Sequence, residues 1–210
     1  MQEKQTRRQA QAQESRKKIM DAALQLFSEN GYEKTSVHMI CQHLGAAASL
    51  LYHYFPGGKK ELLQSLLQEH LLALLLELNA RNVHLEDLPI GDMLEQLYQD
   101  IEEIVMRHAE ILRIVLREGI MQEMALGNAL EEMICIRHAW FASLLEKQAE
   151  KGEIAPMDYA SAAETLDSLM LFHLGMELMA IPHARLSNPE RRKQLMDYQI
   201  GLWKRNVPQK

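Results

Sequence analysis

Glycine and proline divide residues 15–58 into three short runs, and that punctuation constrains the fold more than any other feature of the chain. In the first run Ile19, Ala23, Leu26 and Phe27 recur at helical spacing, after Ser15 as an N-cap and before Asn30-Gly31 as a stop. Thr35-Ser36 opens a second, short helix, either residue being able to cap it, with Val37, Ile40 and Leu44 as its buried stripe. Gly45 ends that helix, residues 46–55 read as a third, and Pro56-Gly57-Gly58 breaks the pattern. Three short helices with a glycine in the tight turn before the third have the spacing of a helix-turn-helix. In that motif the second helix crosses the phosphate backbone, and the third enters the major groove, whose width matches a helix.

The remainder also reads as helix. A long helix is predicted over about 59–79, then a polar, proline-containing segment at 82–91. Asp92 caps a helix with Leu94, Leu97, Ile101 and Ile104 inside, and shorter and longer helices follow over about 109–117 and 121–151. Gly152 and Pro156 interrupt the chain before a strongly apolar helix to about residue 180, closed by Pro182. Asn188-Pro189 reads as an N-cap with a first-turn proline, opening a last helix anchored by Leu195, Leu202 and Trp203. No segment keeps the period of a strand. The predicted class is all-α, with about nine helices.

Charge points to one kind of partner. The chain carries −6 overall, yet residues 1–60 hold nine Lys/Arg against five Asp/Glu, a net +4. The other 150 residues hold fourteen against twenty-four, a net −10. A basic head on an acidic body turns the head toward a polyanion. Cys41 and Cys135 stand far apart outside any CxxC spacing, a usage that suits a reducing cytoplasm. The first residues are polar, so no signal peptide is expected, and the apolar stretch at 71–78 is too short to span a bilayer. HExxH, GxSxG, GxxxxGK and GxGxxG are absent, so no enzyme activity and no cofactor is expected.

The head also resembles a known family. The run Ser15-Arg16-Lys17-Lys18-Ile19-Met20-Asp21-Ala22-Ala23-Leu24-Gln25-Leu26-Phe27-Ser28-Glu29-Asn30-Gly31-Tyr32 is similar to the opening helix of the TetR family of regulators. Residues 35–41 resemble that family's second helix, and Leu51-Tyr52-His53-Tyr54-Phe55 with Pro56-Gly57-Gly58-Lys59-Lys60 its recognition helix and the entry to helix four. The match spans about 48 residues; Cys41, Leu44 and Ala46 depart from the usual residues, and the loop before Lys59 is one residue longer. The resemblance implies a flexible basic arm over 1–14, a DNA-binding domain over 15–62, and an effector-binding and dimerising domain over 63–210.

Candidate DNA contacts follow from chemistry. Thr35 and Ser36 can offer hydroxyl and N–H groups to a phosphate, and Lys59 and Lys60 their ammonium groups. Ser49, Tyr52 and His53 can reach base edges or flanking phosphates, while Ala47 and Ala48 suit thymine methyls. With so few bidentate donors, direct readout is expected to be modest and supplemented by DNA shape. Arg16-Lys17-Lys18 reads equally as a solvated face, and Phe55 and Cys41 as core, with redox sensing at Cys41 the alternative.

For the body, the resemblance implies a homodimer through the two C-terminal helices, a four-helix bundle in which Leu166, Leu169, Met170 and Leu174 supply an apolar face. It also implies a small-molecule effector pocket, and a dimer whose two heads read a palindrome. Met106, Met121 and Met170 are flexible apolar candidates for that pocket, and Arg113, His138, His173 and Glu177 its polar candidates. His173 and Glu177, at i and i+4, also suit a metal pair, but no third ligand accompanies them. Helix four is the expected lever between head and body. The rival reading keeps the fold as an adaptor that binds a protein, or DNA without sequence preference.

Overall fold

The computed structural model describes residues 2–80, 85–118, 127–181 and 188–204. Among these the elements are α1 (Gln2–Asn30), α2 (Val37–Leu44), α3 (Ala48–Tyr54), α4 (Gly58–Ala80), α5 (Ile90–Arg107), α6 (Ala109–Glu118), α7 (Gly127–Glu150), α8 (Tyr159–Leu178) and α9 (Pro189–Lys204), with one 3-10 turn at Leu85–Asp87. No strand occurs among the described residues. The chain forms two compact units. One runs from the N-terminus to Leu72 and takes in the segment from Glu110, and hence nearly all of α6. The other comprises Ala73–Ala109 and the helices from α7 onward.

Residues 2–14 lie in the stretch expected as a basic arm. They extend α1 as helix, because Gln, Glu, Lys, Arg and Ala are strong helix formers and neither glycine nor proline interrupts them. Ser15 is accordingly mid-helix rather than a cap, and its hydroxyl donates to the Gln11 carbonyl at 2.9 Å.

In the first unit, the apolar stripe of α1 is buried at Ile19, Ala23 and Phe27. Ile40 of α2, Leu51 and Phe55 at α3, and Leu62 and Leu66 of α4 are buried to the same degree. The turn from α2 to α3 is a Schellman motif: Ala46 N–H donates to Cys41 O at 2.9 Å and Gly45 N–H to Gln42 O at 3.1 Å. Gly45 supplies the left-handed residue that this motif needs, at φ +62. A Cβ at this position meets nothing within 4 Å, so Gly45→Ala is expected to cost only the backbone strain, about 1–2 kcal/mol. Urea unfolding checks this; a loss of several kcal/mol would mean a clash that the geometry excludes.

α6 is tied to the end of α1. The Arg117 guanidinium donates to the carbonyls of Phe27 and Ser28 in the last turn of α1. The Glu118 carboxylate accepts the Tyr32 N–H at 3.0 Å.

The second unit is a bundle in which α8 packs on α7 and α5, and α9 packs on α5. Met93, Leu94, Tyr98 and Ile104 of α5 are fully buried, beside Leu144 and Leu145 of α7 and Leu174 of α8. Arg192 of α9, 5% exposed, reaches Glu95 with its Nε and Nη2 at 3.0 and 2.6 Å and lies 4.6 Å over the Tyr98 ring. That hydrogen bond holds the Glu95 carboxyl below its ordinary pKa, whereas desolvation pushes Glu102, 3.7 Å from Arg192, upward. α9 is thus fastened by a guanidinium among carboxylates as well as by Met196, Ile200 and Trp203.

Candidate nucleic-acid interface

The helix-turn-helix sorts its side chains by side. Leu51 and Phe55 point inward, each 1% exposed, while Ala47, Ala48, Ser49, Tyr52 and His53 are exposed. One helix thereby carries a buried anchor and an open reading face. The Arg16 guanidinium lies 5.3 Å over the Phe55 ring and 3.5 Å from Glu69, so this member of the basic triplet braces the head. Gly58, at φ +64, leaves room for the Tyr52 ring, whose Cε1 would lie 3.3 Å from a Cβ there. The extra glycine of the loop also lets Gly57 N–H donate to Glu61 Oε2 at 2.6 Å.

At the start of α2 the two hydroxyls separate. Ser36 is exposed and is the N-cap, its Oγ accepting the Met39 N–H at 3.2 Å. Thr35 is 1% exposed, and its Oγ1 lies 2.8 Å from Gly31 O and 3.1 Å from Leu26 O. The expectation that its hydroxyl meets a phosphate is therefore corrected: it closes the α1–α2 turn from inside. Lys59 is half-buried. Its Nζ donates to Tyr32 O at 2.9 Å and lies 4.1 Å from the centroid of the Tyr32 ring. Lys60 is exposed. Cys41 is buried, and desolvation raises its thiol pKa, which disfavours the reactive thiolate.

Within the second unit the candidate effector residues do not share one cavity. Arg113 is on α6, in the first unit, whereas Met106, His138, Met170, His173 and Glu177 are in the second. Met121 lies outside the described residues. Met170 and His173 line an apolar groove of about 260 Å³ between α8 and α9, with Leu169, Leu195 and Tyr198. His173 Nδ1 donates to the Leu169 carbonyl of its own helix at 2.7 Å, and Glu177 Oε2 is buried with no hydrogen-bond partner. Among the described residues no group of three potential metal ligands occurs.

His138 belongs elsewhere, to a polar cluster between α7 and α8. The Arg137 guanidinium donates through both Nη atoms to both carboxylate oxygens of Asp167, and His138 Nε2 donates to Asp167 Oδ2 at 3.0 Å. Arg137 and Asp167 are buried, with side chains 9% and 7% exposed. They border a small cavity of about 10 Å³, whose other walls include Leu97, Asp100, Ile104, Trp140 and Phe141. Sequence reasoning singled out His138 and missed Arg137 and Asp167; a charged residue inside each apolar helical run was the available signal.

Comparison with known proteins agrees with this geometry. The family model described as bacterial regulatory proteins, tetR family, matches residues 19–66, the helix-turn-helix and its flanks. The HTH-type transcriptional regulator UidR of Escherichia coli is 28% identical over 151 residues, 70% of this chain and 73% of UidR. LmrA of Bacillus subtilis, another such regulator, is 45% identical over 49 residues, 23% of this chain and 26% of LmrA. A TetR-family structure from Mesorhizobium loti matches with a TM-score of 0.65 at 22% identity, covering 91% of this chain and 96% of that one. A Rhodococcus regulator of the family matches with a TM-score of 0.64 at 18% identity, covering 90% and 97%. At these identities the structures establish the fold, and the relatives in sequence are regulators of transcription rather than enzymes.

Proposed function

The chain belongs to the TetR family of DNA-binding transcriptional regulators, and from that premise we propose that it is a homodimeric cytoplasmic repressor released from a palindromic operator by a small effector. The observation that carries this reading is the two-sided α3. Leu51 and Phe55 lock it to the head while Ala47, Ala48, Ser49, Tyr52 and His53 stay open to a groove. Ser36 and Lys60 flank that face and suit phosphates.

Dimerisation is supported by apolar surface on the last two helices. Leu169 and Phe172 of α8 are 45% and 63% exposed, and Tyr198 of α9 is 64% exposed. Exposed apolar side chains of this kind suit burial against a second copy in a four-helix bundle. A two-fold pair presents two recognition helices to successive major grooves, hence half-sites about one helical turn, roughly 34–36 Å, apart. No described helix is long and apolar enough to cross a membrane. Effector release is a population shift: the ligand prefers a dimer geometry whose heads no longer match the half-sites.

Selection of bound sequences from random duplexes, repeated at two salt concentrations, tests the proposal. An enriched imperfect palindrome, with affinity falling steeply as salt rises, is expected. Weak, salt-sensitive binding without enrichment would refute it and favour the adaptor reading.

A further inference from the structure

We infer that the cavity beside the Arg137–Asp167 pair is the effector's recognition point and selects a small organic monocation with an apolar body. This rests on reading the chain as an effector-responsive regulator and adds the charge class of the ligand. The ion pair sits among Leu97, Ile101, Ile104 and Phe141, where a well-packed apolar pair would be at least as stable. Its presence there suits recognition rather than stability.

Charge decides the sign of the ligand. The groups at the cavity are Arg137, Asp167, Asp100 and His138. With the imidazole neutral they sum to −1, and with it protonated to zero; in neither state is there positive charge in excess. An entering anion would face Asp100 and Asp167, and would find the guanidinium fork already engaged at both Asp167 oxygens. An entering cation is balanced by Asp100, a half-buried group whose Oδ1 accepts from Gln96 at 2.9 Å. Trp140 and Phe141 also line the cavity, and an aromatic ring attracts a cation that reaches its face.

The size of the cavity adds the coupling. About 10 Å³ holds no more than one water molecule. A larger ligand enters only if the helices that line the cavity move apart, so it binds one geometry of the bundle and not the other. That difference in affinity is the condition for shifting an equilibrium.

Three compounds on one scaffold test the inference: naphthylmethyl-trimethylammonium, naphthylmethanesulfonate and naphthylmethanol, titrated into the full-length protein by calorimetry. The cation is expected to bind at least about tenfold more tightly than the other two. Asp100→Asn is expected to abolish that preference, and Trp140→Leu to weaken the cation severalfold, both variants unfolding at the wild-type temperature. Equal or tighter binding of the sulfonate or the alcohol, a preference untouched in Asp100→Asn, or no binding of any of the three overturns the inference. If the sulfonate or the alcohol binds and also releases the selected operator, effector control survives and only the charge class falls. If no compound of any charge changes operator binding, effector control falls with it.

Discussion

Asp167→Ala is expected to destabilise the second unit by about 3–5 kcal/mol, the usual penalty for removing one partner of a buried ion pair. The size follows from burial. The Arg137 side chain is 9% exposed and gives both Nη atoms to the lost carboxylate, so the buried guanidinium loses both of its hydrogen-bonded oxygens. His138 loses its acceptor in the same step. The double variant Arg137→Met/Asp167→Leu is expected to regain the loss, because it removes the buried charge and fills the space. Urea unfolding monitored by circular dichroism separates the cases. A single variant within about 1 kcal/mol of wild type would mean that water reaches Arg137. The pair would then be a surface feature.

The second large effect lies in the head and has a matched control. Phe55→Ala is expected to cost about 3–5 kcal/mol, as for other fully buried aromatic side chains. Phe55 is 1% exposed, lies beneath the Arg16 guanidinium, and ends α3 with its N–H on Leu51 O at 2.8 Å. Tyr52, three residues earlier, is 50% exposed. Tyr52→Ala is expected to leave stability within about 0.5 kcal/mol and to weaken operator binding by about tenfold or more, the cost of one lost specific contact. The pair thus separates folding from recognition on one helix. Should Tyr52→Ala bind the selected operator as wild type does, Tyr52 is not on the reading face.

The head was legible because its signals are local. The apolar stripe Ile19-Ala23-Phe27, the stop at Gly31, the turn at Gly45 and the break at Pro56 all act within a few residues. Backbone sterics and helical periodicity suffice to read them. Thr35 and Ser36 mark where that reading fails. Both residue types can cap a helix, but one step along the chain decides which hydroxyl faces solvent and which faces Gly31 O and Leu26 O. Lys59 was legible as a cation; that it spends its charge on the Tyr32 carbonyl and ring depended on where α4 lies against the α1–α2 turn.

By itself the sequence determined the all-α class, the helix-turn-helix, the inward Phe55 and the outward face of α3, since each follows from periodicity and turn chemistry over fewer than ten residues. Only the tertiary structure decided the contacts that close over long loops. Arg117 and Glu118 meet the end of α1 across 86 to 90 residues of chain, and Arg137 meets Asp167 across 30. Such pairs leave no periodic trace. A charged residue within an apolar run looks alike whether it faces water or a partner, and its neighbours are chosen by the packing of whole helices.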